Sequence, residues 1–143
     1  MFDCLILGDS IAVGIASARP ECQSIARVGW TSQRWNRDFL AVVESRSAEV
    51  VVISLGANDH SGISSEQELR KLRGKINAIH VFWISPGSER KPIPQAAIEK
   101  IAAEYGDTVV DRPVSMSPDG VHPTGRGYKE LADKTKLKGN SYD

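Results

Sequence analysis

The apolar run at residues 50–55 is the feature that most constrains the fold of this chain. It reads Val-Val-Val-Ile-Ser-Leu, so it is largely β-branched and shows no alternation of apolar with polar residues. A short run of this kind, ended by Gly56, predicts a strand that is buried on both faces. Such strands belong to parallel sheets whose two faces are covered by helices.

Four more strands and five helices are predicted around this run. The strands are expected at residues 2–7, 24–28, 79–84 and 108–110, and helices at 11–19, 32–44, 94–105 and 124–134. The fifth helix is predicted to follow the capping box Ser65-x-x-Glu68 and to carry Leu69, Leu72 and Ile76 on one face. Strands that alternate with helices predict an α/β protein with a parallel sheet covered on both faces.

The length and charge of the chain narrow the function classes. The 143 residues predict one domain over 1–135, followed by a polar tail at 136–143. With 18 basic and 18 acidic residues the formal net charge is zero, which argues against a nucleic acid or an anionic membrane as partner. No signal peptide or membrane-spanning run is visible, so we expect a cytoplasmic protein, with a phage origin left open.

The two cysteines predict neither a metal site nor a disulfide scaffold. Cys4 and Cys22 lack the spacing of zinc ligands. Cys4 lies in the first apolar run and is interpreted as a small buried hydrophobe. A single bridge between the two cysteines stays open at this point.

Small polar motifs follow four of the five predicted strands. They are Gly8-Asp9-Ser10, Gly29, Gly56-Ala57-Asn58-Asp59 and Asp119-Gly120-Val121-His122. In open α/β sheets, functional residues gather at the carboxyl ends of the strands. We therefore expect these motifs to meet at one edge of the sheet.

The residue types in these motifs suit nucleophilic catalysis. Ser10 opens a helix, where unpaired N–H groups and the helix dipole favour a developing negative charge. Asp119 precedes His122 by three residues, so it can accept from Nδ1–H and leave Nε2 free to take the proton of Ser10. The Asn58 amide and the Gly29 N–H are candidate oxyanion donors. Each motif taken alone also fits an ordinary turn or helix cap.

Three other residues are candidates for lining a substrate site: Asp9, Trp30 and His60. Trp30 stands in a cluster with Trp35, Arg34 and Arg37, and such groups suit a sugar ring or an anion. The competing interpretation is that Trp35 belongs to the core and that the arginines form a solvated helix face. Asp9 is also expected to brace its loop by backbone hydrogen bonds, as is Asp59.

Taken together, the four motifs resemble those of the SGNH hydrolases, also called the GDSL esterase/lipase family. The resemblance extends from residue 2 to about 132, with Ile11 where the family name has Leu. It implies a three-layer α/β/α sandwich with a flavodoxin-like five-stranded sheet in the order 2-1-3-4-5. It also implies Ser10 as nucleophile, His122 as base and Asp119 as its partner, with an oxyanion hole from Ser10, Gly29 and Asn58. No metal or cofactor is implied.

The resemblance predicts a serine esterase that forms an acyl-enzyme. The loops after the strands are short, and selectivity usually depends on such loops. This favours a small acyl group, for example an O-acetyl group on a carbohydrate. The alternatives are a lysophospholipase or thioesterase, and a catalytically silent glycan-binding module of the same fold. An α/β-hydrolase is disfavoured because Ala12 stands at the last position of its Gly-x-Ser-x-Gly motif.

Overall fold

Strands and helices alternate strictly along residues 1–137, which the computed structural model describes. The elements are β1 (Phe2–Gly8), α1 (Ser10–Ser17), β2 (Gln23–Ala26), α2 (Ser32–Glu44), β3 (Ser47–Ser54), α3 (Ser65–Lys75), β4 (Asn77–Ile84), α4 (Pro92–Tyr105), β5 (Thr108–Val110) and α5 (Gly125–Lys134). All five predicted strands and all five predicted helices are confirmed, with boundaries that differ by up to three residues. The polar tail predicted at 136–143 lies almost wholly outside the described residues.

The strands form a single parallel sheet in the order β2-β1-β3-β4-β5. The central strand β3 pairs with β1 through Leu7 and Ile53, and with β4 through Ile53 and Trp83. This is the order that the resemblance implied. All strands point the same way, so their carboxyl ends lie on one edge of the sheet.

Successive residues of β1 and β3 enter two different cores. Leu5 and Val51 belong to the larger core, which also holds buried residues of α2, α3 and α4. Ile6 and Val52 belong to the smaller core, formed with α1 and α5. The strand over 50–55 is therefore buried on both faces, as predicted, and the architecture is a three-layer α/β/α sandwich.

The start of α3 differs from the predicted capping box. Ser64, not Ser65, caps the helix, and its hydroxyl accepts from the Gln67 N–H at 3.4 Å. Ser65 is buried, and its hydroxyl instead donates to the Asp59 carboxylate at 2.7 Å. A buried carboxylate is stable only when donors bind it. The Ser65 hydroxyl therefore bonds to Asp59 and is not available to cap the helix.

Cys4 is buried in the smaller core, as predicted, and it forms a disulfide with Cys22, the bridge that the sequence left open. The bond joins β1 to the segment that enters β2, and the bridged residues are 18 apart in sequence. The sulfurs lie near Glu21 in a group with metal-binding atom types, but a bonded pair of sulfurs offers no thiolate ligand. Among residues 1–137, no helix combines the length and apolar character needed to cross a membrane.

Candidate active site

The turn from β1 into α1 can be made only by glycine at its first position. Gly8 has a φ of +143°, and a Cβ there would lie 1.9 Å from the carbonyl oxygen of Ser54. The Asp9 N–H then donates to the same Ser54 oxygen at 2.9 Å. The turn holds β1 against β3 and sets Ser10 at the first position of α1.

Ser10, His122 and Asp119 form a continuous chain of hydrogen bonds. The Ser10 Oγ lies 2.9 Å from Nε2 of His122. The other ring nitrogen, Nδ1, lies 2.9 Å from Oδ2 of Asp119. Ser10 and His122 are 112 residues apart in sequence, so only the fold brings them together.

The electrostatics of Asp119 fix the tautomer of His122. Its Oδ1 accepts from the N–H groups of His122 and Val121 at 3.0 and 2.8 Å. The backbone bond from His122, followed by the ring contact and the Val121 N–H, holds the pKa of Asp119 well below its ordinary value. An ionised carboxylate only accepts, so neutral His122 carries its proton on Nδ1. Nε2 is then free to accept the proton of Ser10.

The loop that carries Asp119 and His122 is held by its own contacts. Gly120 takes a left-handed φ of +69°, and the Ser117 N–H donates to the His122 carbonyl at 2.8 Å. The guanidinium of Arg112, just after β5, donates to the carbonyl of Gly120. These contacts give the half-exposed histidine a fixed position without burying it.

Asn58 contacts the residue that follows Gly29. The Asn58 Nδ2 donates to the carbonyl of Trp30 at 3.1 Å. An amide nitrogen has two hydrogens, so this bond orients the group and leaves a second N–H to donate. Gly29 is exposed, with a left-handed φ of +79°. The predicted oxyanion donors follow β2 and β3, whose carboxyl ends lie at the same edge of the sheet as Ser10.

Asp59 joins the segments that carry these donors. Its carboxylate accepts from the Ser32 N–H at 2.8 Å, from the Ser32 hydroxyl at 2.7 Å and from the Ser65 hydroxyl at 2.7 Å. All three residues are buried. The starts of α2 and α3 are thereby fixed to the residue that follows Asn58, as the expected bracing role of Asp59 requires.

Asp9 lies beneath the site and cannot line it as predicted. The residue is 1% exposed, and its Oδ1 accepts from the Ile11 N–H and the Ser54 hydroxyl, each at 3.1 Å. Within residues 1–137, its Oδ2 has no hydrogen-bond partner. Burial raises the pKa of Asp9 from 3.8 to about 6. Asp9 therefore braces its loop by a backbone hydrogen bond, as predicted. It caps α1 and does not contact a substrate.

Trp30 packs on neighbouring side chains and His60 lines a cavity at the starts of α3 and α4, so their contact with a substrate stays a prediction. The Trp30 ring stacks on Phe39 at 5.6 Å, and the guanidinium of Arg34 lies 4.0 Å from its centre. The ring therefore already has stacking partners within the chain. His60 lines a cavity of about 350 Å³ between the starts of α3 and α4. Trp35 is fully buried, as the core interpretation predicted.

A second cavity, of about 260 Å³, adjoins the hydrogen-bonded chain of Ser10, His122 and Asp119. It is bordered by Ile11 after the serine, by Asn58 and by Val121 before the histidine. Three cations line it that sequence reasoning missed: Arg90, Lys91 and Arg112. Arg90 and Lys91 follow β4. The loop after β4 carries none of the four motifs found in the sequence. The rule that gathers functional residues at strand ends points to this loop, but it does not single out the cations within it.

Known structures share this fold across nearly the whole chain. A GDSL-like lipase from Bacteroides thetaiotaomicron superposes with a TM-score of 0.67 at 20% identity, over 92% of this chain and 84% of that one. A variant of an acetyl xylan esterase from Geobacillus stearothermophilus gives 0.65 at 19% identity, over 91% and 90%. The catalytic domain of a peptidoglycan O-acetyltransferase from Streptococcus pneumoniae gives 0.61 at 20%, over 92% and 88%.

No protein-family model matches the sequence, and no curated protein matches it. The similarity is therefore one of fold, at identities of 20% or lower for these three structures. The fold that the resemblance to SGNH hydrolases predicted is confirmed.

The three bonds on Asp59 predict a large effect of its removal. In Asp59→Ala, three buried donors lose their acceptor, and we expect a loss of about 2–4 kcal/mol in the free energy of unfolding. Urea unfolding measures it, with Asp38→Ala as control because Asp38 is half exposed and forms a surface ion pair with Arg37. Equal stability of the two variants would contradict the bracing role.

The raised pKa of Asp9 predicts a stability that depends on pH. The unfolded chain releases this proton near pH 4 and the folded chain near pH 6, so the free energy of unfolding falls as pH rises between them. Asp9→Asn cannot ionise, so its stability relative to the natural protein should rise by about 2–3 kcal/mol over that window. Urea unfolding at a series of pH values checks this, and parallel profiles would contradict it.

Proposed function

We propose that this protein is a serine esterase of the SGNH type that hydrolyses carboxylic esters with small acyl groups, such as O-acetyl groups on a carbohydrate. The observation that carries the proposal is the hydrogen-bonded chain from Ser10 Oγ through both ring nitrogens of His122 to Asp119. The chain joins a nucleophile, a base and an ionised partner for that base in the order that acyl transfer requires.

In the acylation step, His122 Nε2 accepts the proton of Ser10 as Oγ bonds to the ester carbonyl carbon. The carbonyl oxygen becomes negative, and the N–H groups of Ser10 and Gly29 and the free N–H of Asn58 stabilise it. Asp119 stabilises the imidazolium without taking its proton. The tetrahedral intermediate then expels the alcohol, whose oxygen receives the proton from His122.

In the deacylation step, water takes the place of the alcohol. His122 accepts a proton from the water as its oxygen attacks the acyl carbon, and the same donors stabilise the oxyanion. The bond to Ser10 Oγ breaks, and Oγ regains its proton from His122. Each step uses residues of this chain alone.

The preference for a small acyl group is supported by the shape of the site. The cavity beside Asn58 has a volume of only about 260 Å³ and is lined in part by three cations, which suits neither a long alkyl chain nor a lipid. Similar structures include an acetyl xylan esterase and a peptidoglycan O-acetyltransferase domain. We therefore favour a carbohydrate ester as substrate.

We predict that p-nitrophenyl acetate is hydrolysed and that kcat/KM does not rise steadily for esters longer than butyrate. His122→Ala should lower kcat/KM by about 10²–10⁴-fold, because the general base is lost. Its stability should stay within about 1 kcal/mol, since the histidine is half exposed.

His80→Ala is the matched control, because His80 is an exposed histidine within β4 and lies away from the catalytic edge. It should retain the activity of the natural protein. Near-normal turnover by His122→Ala would refute the catalytic chain, and rates that climb with acyl length would favour the lysophospholipase or thioesterase alternative.

A further inference from the structure

Three cations surround the cavity next to the proposed nucleophile. Arg90 and Lys91 lie just before α4, and Arg112 lies after β5. One guanidinium nitrogen of Arg90 comes within 3.6 Å of the point where a Cβ on Gly120 would stand. Arg90 therefore reaches the loop that carries His122.

None of these three cations has an acidic side chain within 4 Å among residues 1–137. Lys91 donates to the backbone carbonyl of Asp59 at 3.2 Å, and Arg112 donates to the carbonyl of Gly120. Neutral carbonyls orient the two groups but leave their charges uncompensated. Most other basic residues with a fixed partner pair with a carboxylate, as Arg73 does with Asp107.

The nearby carboxylates do not neutralise the cavity. Asp119 is engaged by His122, and the Asp59 carboxylate is buried among serine hydroxyls. Glu89 and Asp111 do not line this cavity; they line a neighbouring one of about 290 Å³, which shares Ser85 and Arg112 with it. Neither forms an ion pair with Arg112 in the part of the chain that the structure describes.

We propose that this cavity binds a carboxylate of the substrate, so that the natural ester is anionic. The inference rests on the proposed esterase function and narrows its substrate class. Three uncompensated cations in a concave site favour an anion, and arginine binds a carboxylate with two parallel hydrogen bonds. Ile11, Asn58 and Val121 border the cavity, so an anion held there belongs to a substrate whose ester lies at Ser10.

The carboxylate has two chemical sources. It stands on the acyl side in a half-ester of a dicarboxylic acid, and on the alcohol side in an ester of a hydroxy acid or an acidic sugar. The cavity would bind the same carboxylate group in either case. Two matched pairs of substrates distinguish the acyl side from the alcohol side. Mono-p-nitrophenyl succinate against p-nitrophenyl butyrate tests the acyl side, and 4-acetoxybenzoate against 4-acetoxybenzamide tests the alcohol side.

The measured quantity is the ratio of kcat/KM for the anionic and the neutral member of each pair, after subtraction of the rate with Ser10→Ala. We expect the natural protein to favour the anionic member of one pair. Arg90→Gln should lower that ratio about tenfold, as the loss of a charged hydrogen bond predicts. Arg37→Gln is the control with the same charge change, because Arg37 is exposed on α2 outside this cavity, and it should leave the ratio unchanged.

The pair that responds identifies the side of the ester that carries the carboxylate. The inference is overturned if the neutral esters are hydrolysed but neither kcat/KM ratio differs between the natural protein and Arg90→Gln. The proposed esterase function would still stand after that result.

If no ester is hydrolysed, the proposed function fails, and succinate binding to the natural protein still tests the cavity. Amide shifts of Val121 and Asn58 in an NMR titration, weakened in Arg90→Gln, support the anion site. Their absence refutes it.

Discussion

The close approach of β1 and β3 at their carboxyl ends is the constraint on which the site depends. Gly8 leaves no room for a side chain against the Ser54 carbonyl, and the same carbonyl accepts the N–H of Asp9. This contact sets the angle at which α1 leaves the sheet and therefore the position of Ser10. A residue with a Cβ at position 8 would force the strands apart and move the nucleophile away from His122.

Asp119 and Asp9 belong to two of the four motifs, and their electrostatic environments shift their pKa values in opposite directions. Asp119 is exposed, but backbone N–H groups and the His122 ring keep it ionised, so it can orient the imidazole and stabilise its positive form. Asp9 is buried, one of its oxygens has no partner in the described part of the chain, and its pKa rises to about 6. The first contributes to the proposed chemistry directly, whereas the second supports the turn that presents Ser10.

The fold and the placement of the motifs could be predicted from the sequence because both follow from local patterns. The β-branched run at 50–55 indicates a doubly buried strand, and parallel strands deliver their ends to one edge. Competition between local and distant hydrogen-bond partners for the same side chain could not be predicted. The hydroxyl of Ser65 was assigned to a helix cap, but the buried Asp59 takes it. The motif of Asp9 suits a residue that lines the site equally well, because nothing in it shows that Asp9 caps α1 from a buried position. Arg90 and Arg112 were missed because single cations carry no motif, and only the fold shows that they face one cavity.

The central claim is that His122 and Asp119 activate Ser10 as a nucleophile. Reaction with a fluorophosphonate, followed by intact-mass and peptide mass spectrometry, tests it most directly because the reagent reports on the serine without assuming a substrate. The account predicts one adduct on Ser10 in the natural protein, none in Ser10→Ala, and strongly slowed labelling in His122→Ala. Labelling of another serine, or equal labelling rates with and without the histidine, would contradict it.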